Sequence, residues 1–383
     1  MRHRVVFQLL TLLTALAVVP IFPLAGAGAE RVTPVGNHGA KWRIAYYEGG
    51  AYTDYGDSMR AIIAGLMDLG WIAKAPLPHL TGDTAKPYWQ WLATESRSPY
   101  LSFRSEDAYS AQWSDSVRAA MRAQVLEKLK SGKIDLIIAM GTWAGQDLAN
   151  DLHRVPTTVV STSNPIQAHI IMSADDSGFD HVTARVDVDR YRRQIRMFHR
   201  LVRFRKLGVA YEDTPDGRIY SALPELKEIA AERGFELVEC RFNDAREDRE
   251  AAGRECLDCM RQLAETADAI YLTALLTVDE KIDDIVRILN DARIPSFSMN
   301  GSKHVADGVL MSFSTDEGYK AQGMYDAGKI AKVLNGSKPR ELEQRFPDPL
   351  DIALNLDTAR AIGFTIPGSV MRIAHEIYGD NKE

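Results

Sequence analysis

From residue 42 onward, short apolar runs alternate with segments whose apolar positions recur at helical spacing. The first pair is a strand over Trp42-Arg43-Ile44-Ala45-Tyr46-Tyr47 and a helix over residues 55–69. In that helix Met59, Ile62, Ile63, Leu66 and Met67 share one face, and Gly70 supplies the stop. The run that organises the rest is Ile134-Asp135-Leu136-Ile137-Ile138-Ala139-Met140, nearly continuous in apolar residues, as a strand buried on both faces requires. Gly141-Thr142-Trp143-Ala144-Gly145 lies at its carboxyl end, and residues 146–152 read as a helix. After Val155-Pro156 a second apolar strand, residues 157–161, ends in Thr162-Ser163-Asn164-Pro165. Two parallel strands thereby bring small hydroxyl side chains to one sheet edge, and in open α/β sheets ligands sit at that edge. Free backbone N–H groups at a helix start near Thr142 favour an anionic group such as a carboxylate.

Downstream the pattern repeats. An extended segment over 182–186 precedes a helix over 189–202, whose many arginines read as a solvated face. Strands are expected at 206–211, 235–240, 269–273, 294–301 and 309–313, with helices at 220–233, 248–265, 279–292 and 319–334. Strand followed by helix is the consistent order, so the chain is expected to be α/β, with two Rossmann-like lobes built on parallel sheets. Residues 75–115 break the rhythm with Trp89, Trp91 and Trp113, several prolines and one extended candidate at 100–103. Such a stretch could cover a cleft; local packing on its own domain is the expectation.

The N-terminus reads as a targeting segment. Met1-Arg2-His3-Arg4 is basic, residues 5–19 are apolar, and Ala25-Gly26-Ala27 or Ala27-Gly28-Ala29 suits cleavage, so residues 1–29 are expected to be a signal peptide. The first cysteine is Cys240, so no lipid-anchor site follows the apolar core. A secreted, soluble protein is expected, located in the periplasm and not lipid-anchored.

Composition narrows the function. A chain of 383 residues suits two lobes of roughly 150 residues each. A net charge of -6 offers no basic footprint for nucleic acid. The nine histidines are scattered without metal spacing, and no G-x-S-x-G elbow, G-x-G-x-x-G turn or Walker A loop occurs. Neither catalysis nor a cofactor is expected. Cys256 and Cys259 have CxxC spacing without a second pair, which argues against zinc. A bond from Cys240 to Cys256 or to Cys259, or one within the CxxC, is open, and one thiol remains unpaired.

Taken together, these segments resemble the solute-binding proteins of ABC transporters with the type I periplasmic-binding fold, in the family that includes tryptophan- and tyrosine-binding members. Residues 135–142, 155–166, 206–211, 269–272 and 294–295 carry the resemblance, together with Gly323 to Pro339 and the run Ala353-Leu354-Asn355-Leu356-Asp357 through Ile366-Pro367. The resemblance implies hinge crossovers between lobes that close on a small ligand, and a permease in the inner membrane as partner. It places one lobe at 40–163 plus 298–345 and the other at 164–297 plus 346–383, in a monomer. It implies a ligand with a carboxylate, an aromatic or branched amino acid, bound but not transformed. An extracytoplasmic sensor subunit of a signalling system is the alternative use of the same fold.

Carried over position by position, the resemblance puts Tyr47, Glu48, Thr142, Trp143, Ser163 and Asn164 of the first lobe at the ligand. From the second lobe it adds Tyr211, Glu212 and Thr273, with Asn300 near a crossover. Thr142 and Ser163 would hold the anion, Glu48 or Glu212 an ammonium, and Tyr47, Trp143 and Tyr211 the apolar part. Each has a plainer reading. Thr142 suits a helix cap, Asn164-Pro165 a turn, and Glu48 a solvated loop.

Overall fold

A computed structural model describes residues 31–78, 80 and 85–379. The expected signal peptide lies outside them. No helix among the described residues is long and apolar enough to cross a membrane.

The first lobe follows the sequence pattern, except that the helix over Lys86–Thr94 was not foreseen and the helix expected at 146–152 runs over Gly141–Leu148. Its elements are β1 (Trp42–Glu48), α1 (Thr53–Asp68), α2 (Lys86–Thr94), β2 (Leu101–Ser110), α3 (Asp115–Lys130), β3 (Leu136–Met140), α4 (Gly141–Leu148), β4 (Thr157–Val160) and β5 (Val182–Ala184). The strands form one parallel sheet in the order β2-β1-β3-β4-β5. Every residue of β3 and β4 is buried, as their unbroken apolar runs demand. One core, around Tyr46, Met59, Leu66 and Trp89, lies on one face of the sheet; a second, around Tyr47, Val125, Ala139 and Leu148, lies on the other.

The second lobe continues with α5 (Arg190–Val202), β6 (Lys206–Tyr211), α6 (Pro215–Tyr220), α7 (Leu223–Arg233), β7 (Glu236–Arg241), α8 (Arg249–Thr266), β8 (Ala269–Leu272), α9 (Leu276–Glu280), α10 (Ile282–Asp291), β9 (Ser296–Ser298), α11 (Ser302–Ala306) and β10 (Met311–Ser312). After α12 (Asp316–Leu334) come β11 (Ile352–Asn355), α13 (Leu356–Ile362), α14 (Gly368–Met371) and β12 (Ala374–Tyr378). The sheet order is β12-β11-β10-β9-β8-β6-β7. All neighbours are parallel except β10 and β11. That one antiparallel pair follows from the route, because the chain leaves the lobe after β10 and re-enters it as β11.

The helix between those strands, α12, packs on α1 of the first lobe. A side chain at Gly323 would put its Cβ 2.4 Å from the backbone of Ala61, so only glycine permits that approach. Three crossovers therefore join the lobes, at 185–189, 313–315 and 345–351. Sheet membership differs from the expected boundaries at two strands: β5 pairs with the first lobe's sheet, and β10 lies beside β9 in the second. A strand joins the sheet that pairs its backbone, and the edge of β4 was open to Val182–Ala184.

Cys240 of β7 is bonded to Cys259 of α8, with Cα atoms 5.6 Å apart. Cys256 is the buried free thiol, and burial pushes it up to about 12. The bridge spans a sequence separation of 19, and closing a loop of that order stabilises by about 3 kcal/mol. Reductant is therefore expected to lower the urea midpoint by a corresponding amount, whereas Cys240→Ser/Cys259→Ser protein would show no further response to it.

His153 and His181 stack edge to face at 4.5 Å under the first sheet, both buried. Burial, and the second imidazole, hold His153 down at about 4, and burial lowers His181 as well. The unfolded chain takes up these protons first, near pH 6.5, so the folded state loses stability as pH falls from about 6.5 toward 4. For one such group the slope is about 1.4 kcal/mol per pH unit. Urea unfolding at pH 7 and pH 5 checks this, and His153→Gln is expected to flatten the slope.

Candidate functional site

Between the carboxyl ends of the two sheets lies a cleft of about 710 Å³. It runs inward to a smaller polar pocket of about 70 Å³ beside the crossovers. Tyr52, Ser161, Ser163 and Ala274 line both, so the two adjoin.

The cleft walls are aromatic. Trp113 and Trp143 meet edge to face at 5.2 Å, and the Arg118 guanidinium lies 4.4 Å from the Trp143 ring centre. Arg118 is fixed in turn by Asp147 at 3.1 Å and Gln146 at 3.0 Å. The Trp113 indole N–H donates to the Ala51 carbonyl at 2.6 Å. Tyr52 and Tyr55 form a second edge-to-face pair at 5.4 Å. Tyr55 reaches the cleft because α4 starts at a glycine. A Cβ on Gly141 would lie 1.7 Å from the Tyr55 hydroxyl, and Gly141 has φ +84°. Across the gap stands Tyr220, which interacts with Thr142 and whose phenol is pushed up by burial and by Asp216.

The inner pocket is polar and charged. Arg185, Arg190, Asp54 and Asp348 face it, with Ser161, Thr162, Ser163, Ser314 and Asn300. The Tyr52 hydroxyl is buried without a hydrogen-bond partner among the described residues. The Arg190 Nη2 donates to the Ser314 hydroxyl at 3.3 Å, and its Nε, which makes no hydrogen bond among the described residues, lies 3.7 Å from an Asp348 oxygen. That ion pair is longer than a hydrogen bond, so the Nε–H keeps its capacity to donate. Backbone strain also gathers here, since Gln112, Trp113 and Ser161 all line the cleft with φ between +52° and +57°.

Hydrogen bonds already cross between the lobes. Thr53 donates to Asp279 at 2.7 Å, Gln146 to Asp216 at 3.0 Å, and Gln167 to Glu225 at 2.8 Å. These are contacts that opening would break.

Of the ten residues expected at the ligand, five face this space: Thr142, Trp143, Ser163 and Glu212 in the cleft and Asn300 in the inner pocket, which Ser163 also borders. Thr142 lies inside α4, one residue past its start, and is no cap. The other five lie elsewhere. Tyr47 is fully buried under the sheet and donates to Asp147 at 2.7 Å, which places it behind Arg118. Glu48 is buried and accepts from Tyr46 at 2.5 Å, so it is not a solvated loop acid either. Asn164 accepts from the backbone N–H groups of Ile166 and Gln167 at 3.2 and 3.1 Å, which is the turn reading. Tyr211 is buried in a core of the second lobe and donates to Glu239 at 2.6 Å. Thr273 is buried and donates to the Ala210 carbonyl at 3.0 Å, tying β8 to β6. In strands covered on both faces, side chains alternate between two cores, and the last residue of a run need not reach the edge.

Sequence reasoning missed Tyr52, Tyr55, Trp113 and Tyr220 as walls, and Asp54, Arg185 and Arg190 as the charged groups. The region around 75–115 does both things considered for it. Trp89 packs into the lobe's own core against Tyr46 at 5.6 Å, while Trp113 forms the cleft wall. Arg192 and Arg196 match the solvated-face reading, pairing with Glu228 and Glu232 of α7, whereas Arg190 in the first turn faces inward. Its place beside a crossover was the available signal.

Residues 107–378 match the family model described as ABC transporter substrate binding protein. A curated relative, the tyrosine-binding protein of Clostridioides difficile strain R20291, is 24% identical over 241 residues, covering 62% of this chain and 66% of its own length. Among solved structures, one from Streptococcus pneumonia described as an ABC domain in complex with L-Trp aligns with TM-score 0.68 and 19% identity, over 88% of this chain and 100% of that one. A ligand-free, open substrate-binding protein with adhesive properties from Clostridium difficile aligns with TM-score 0.60 and 18% identity, over 88% and 100%.

Proposed function

The chain belongs to the ABC transporter substrate-binding protein family, and from that premise we propose that it is the periplasmic receptor of an importer, closing its two lobes over an aromatic amino acid. The observation that carries this reading is the joining of a small charged pocket to a larger aromatic cleft. A ligand with a polar head and a flat apolar side chain has that shape. The carboxylate is assigned to the Arg190 guanidinium, whose Nε makes no hydrogen bond among the described residues, and to the Ser161-Thr162-Ser163 turn. The side chain is assigned to the space among Tyr55, Trp113, Trp143 and Tyr220, where ring faces and edges stack. The tyrosine-binding relative and the L-Trp complex support the choice of ligand class. Exchange with the permease requires release, and the interlobe hydrogen bonds from Thr53, Gln146 and Gln167 are the contacts such opening would break.

A ligand that binds only the folded protein raises its unfolding temperature. A thermal-shift screen against amino acids, small carboxylates and nucleosides is expected to single out tryptophan, tyrosine or phenylalanine. Calorimetry of Thr142→Ala/Trp143→Ala should then show no binding; an unchanged affinity would remove this cleft as the site.

A further inference from the structure

We propose that Asp54 and Asp279 form a charge gate between the lobes, which shuts when a ligand ammonium, or a proton in its place, neutralises Asp54. This rests on and deepens the reading of the cleft as an amino-acid site, and it assigns the ammonium to Asp54 in place of Glu48, which is buried against Tyr46, and of Glu212, which lines the cleft but not the inner pocket.

The gate begins at Thr53. Its hydroxyl, on α1 of the first lobe, donates to one oxygen of Asp279, on α9 of the second, at 2.7 Å. The other Asp279 oxygen accepts from the Asn300 amide at 2.7 Å and from the His304 Nε2 at 2.9 Å. The His304 Nδ1 meets the Ser298 hydroxyl at 2.8 Å, and that hydroxyl accepts from the Asn300 backbone N–H at 3.0 Å. Asp279 and His304 are almost wholly shielded from solvent, with side-chain exposures of 5% and 4%. Asp279 is thus a fixed carboxylate at the seam.

Asp54 follows Thr53 in the chain and lines the inner pocket with Tyr52, Asn300 and Tyr319. Every lobe closure that forms the Thr53 bond brings a second carboxylate toward Asp279. The groups facing Asp54 are Tyr319 of α12, which shares a hydrogen bond with it, Asp57 on its own helix, and Asp279 and His304 from the second lobe. Arg190 of α5 adds a cation farther round the pocket. With the Thr53–Asp279 bond formed, burial and Asp279 raise the Asp54 carboxyl to about 7. Two carboxylates brought together out of water favour holding a positive charge. The pocket offers one the means: Asp54, the Tyr52 hydroxyl, which has no partner among the described residues, and the side-chain oxygen of Asn300, whose amide nitrogen is already committed to Asp279. By linkage, the closed form binds a proton more readily than the open one, so acid favours closure.

Small-angle scattering of the ligand-free protein tests the gate without reference to any ligand. Wild type is expected to be more compact at pH 5.5 than at pH 8.5, and Asp54→Asn to be compact at both. Asp279→Asn, which removes the other charge, is expected to lose the pH response likewise. A wild-type profile that does not change between the two pH values, or an Asp54→Asn protein that still switches, overturns the proposal. A second arm compares L-tryptophan with 3-indolepropionate, which lacks the ammonium. At pH 8.5 wild type should prefer L-tryptophan at least 100-fold, and Asp54→Asn should reduce that preference at least tenfold. A preference that Asp54→Asn leaves intact also overturns the assignment. If neither compound binds while the pH response follows Asp54, the gate stands and the aromatic amino-acid reading fails.

Discussion

Arg190→Met is expected to weaken L-tryptophan or L-tyrosine binding by two orders of magnitude or more, because it removes the cation assigned to the ligand carboxylate. Removing one partner of a buried, hydrogen-bonded charge pair costs roughly 2–5 kcal/mol. The fold should survive the change. Methionine keeps an unbranched apolar stem of similar reach, and Asp348 retains Arg185 at 3.5 Å and the Gln322 amide at 2.8 Å. Calorimetry beside a urea unfolding curve separates the two effects. Unaltered affinity in a normally stable variant would take the carboxylate away from Arg190.

Gly141→Ala is expected to injure both stability and binding. The new methyl would meet the Tyr55 hydroxyl at 1.7 Å, and the backbone there, at φ +84°, disfavours any side chain. Overpacking together with the strained conformation is worth about 2 kcal/mol or more. Relief by moving Tyr55 would deform the aromatic wall, so affinity should fall along with the unfolding midpoint. Gly141→Ala combined with Tyr55→Ala should lose less stability than the sum of the single changes, since the clash is then gone. Strict additivity would mean that the two positions do not press on each other.

These two residues also illustrate what the sequence disclosed. The β3 run over Leu136–Met140, the glycine after it and the serines after β4 pointed to the edge where the cleft lies, because a strand buried on both faces announces itself as an unbroken apolar run. The same property hid the outcome for Tyr47 and Tyr211. With both faces of a sheet covered, nothing in the alternation tells an edge-reaching side chain from a core one, and both went to cores. Trp113 enters the cleft only through the left-handed backbone at Gln112 and Trp113 after the long edge strand β2, a turn that residue types alone did not specify. Arg190 was hidden among the five arginines of one helix, which look alike until α7 takes Arg192 and Arg196. The sheet assignment of β5 and β10 depended on which strand edge lay free, a long-range matter that local pattern does not carry.

The crossovers bind the account together. Arg185 of the first crossover touches Asp326 and Gln322 of α12 and Asp348 of the third, at 3.4, 2.9 and 3.5 Å. Lys329, its amine pushed down to about 7 by burial, donates to the Ala184 carbonyl at 2.6 Å. The inner pocket shares Arg185, Gln322 and Asp348 with this network, so on the proposed reading a charged head bound there would touch the same side chains that tie the crossovers together.

The most direct test is a crystal structure of the protein grown with L-tryptophan. The account predicts one unmodified amino acid between the lobes, its carboxylate on Arg190 and the Ser161–163 turn and its indole among Trp113, Trp143 and Tyr220. An empty or protein-filled cleft, or a ligand seated outside it, would contradict the account.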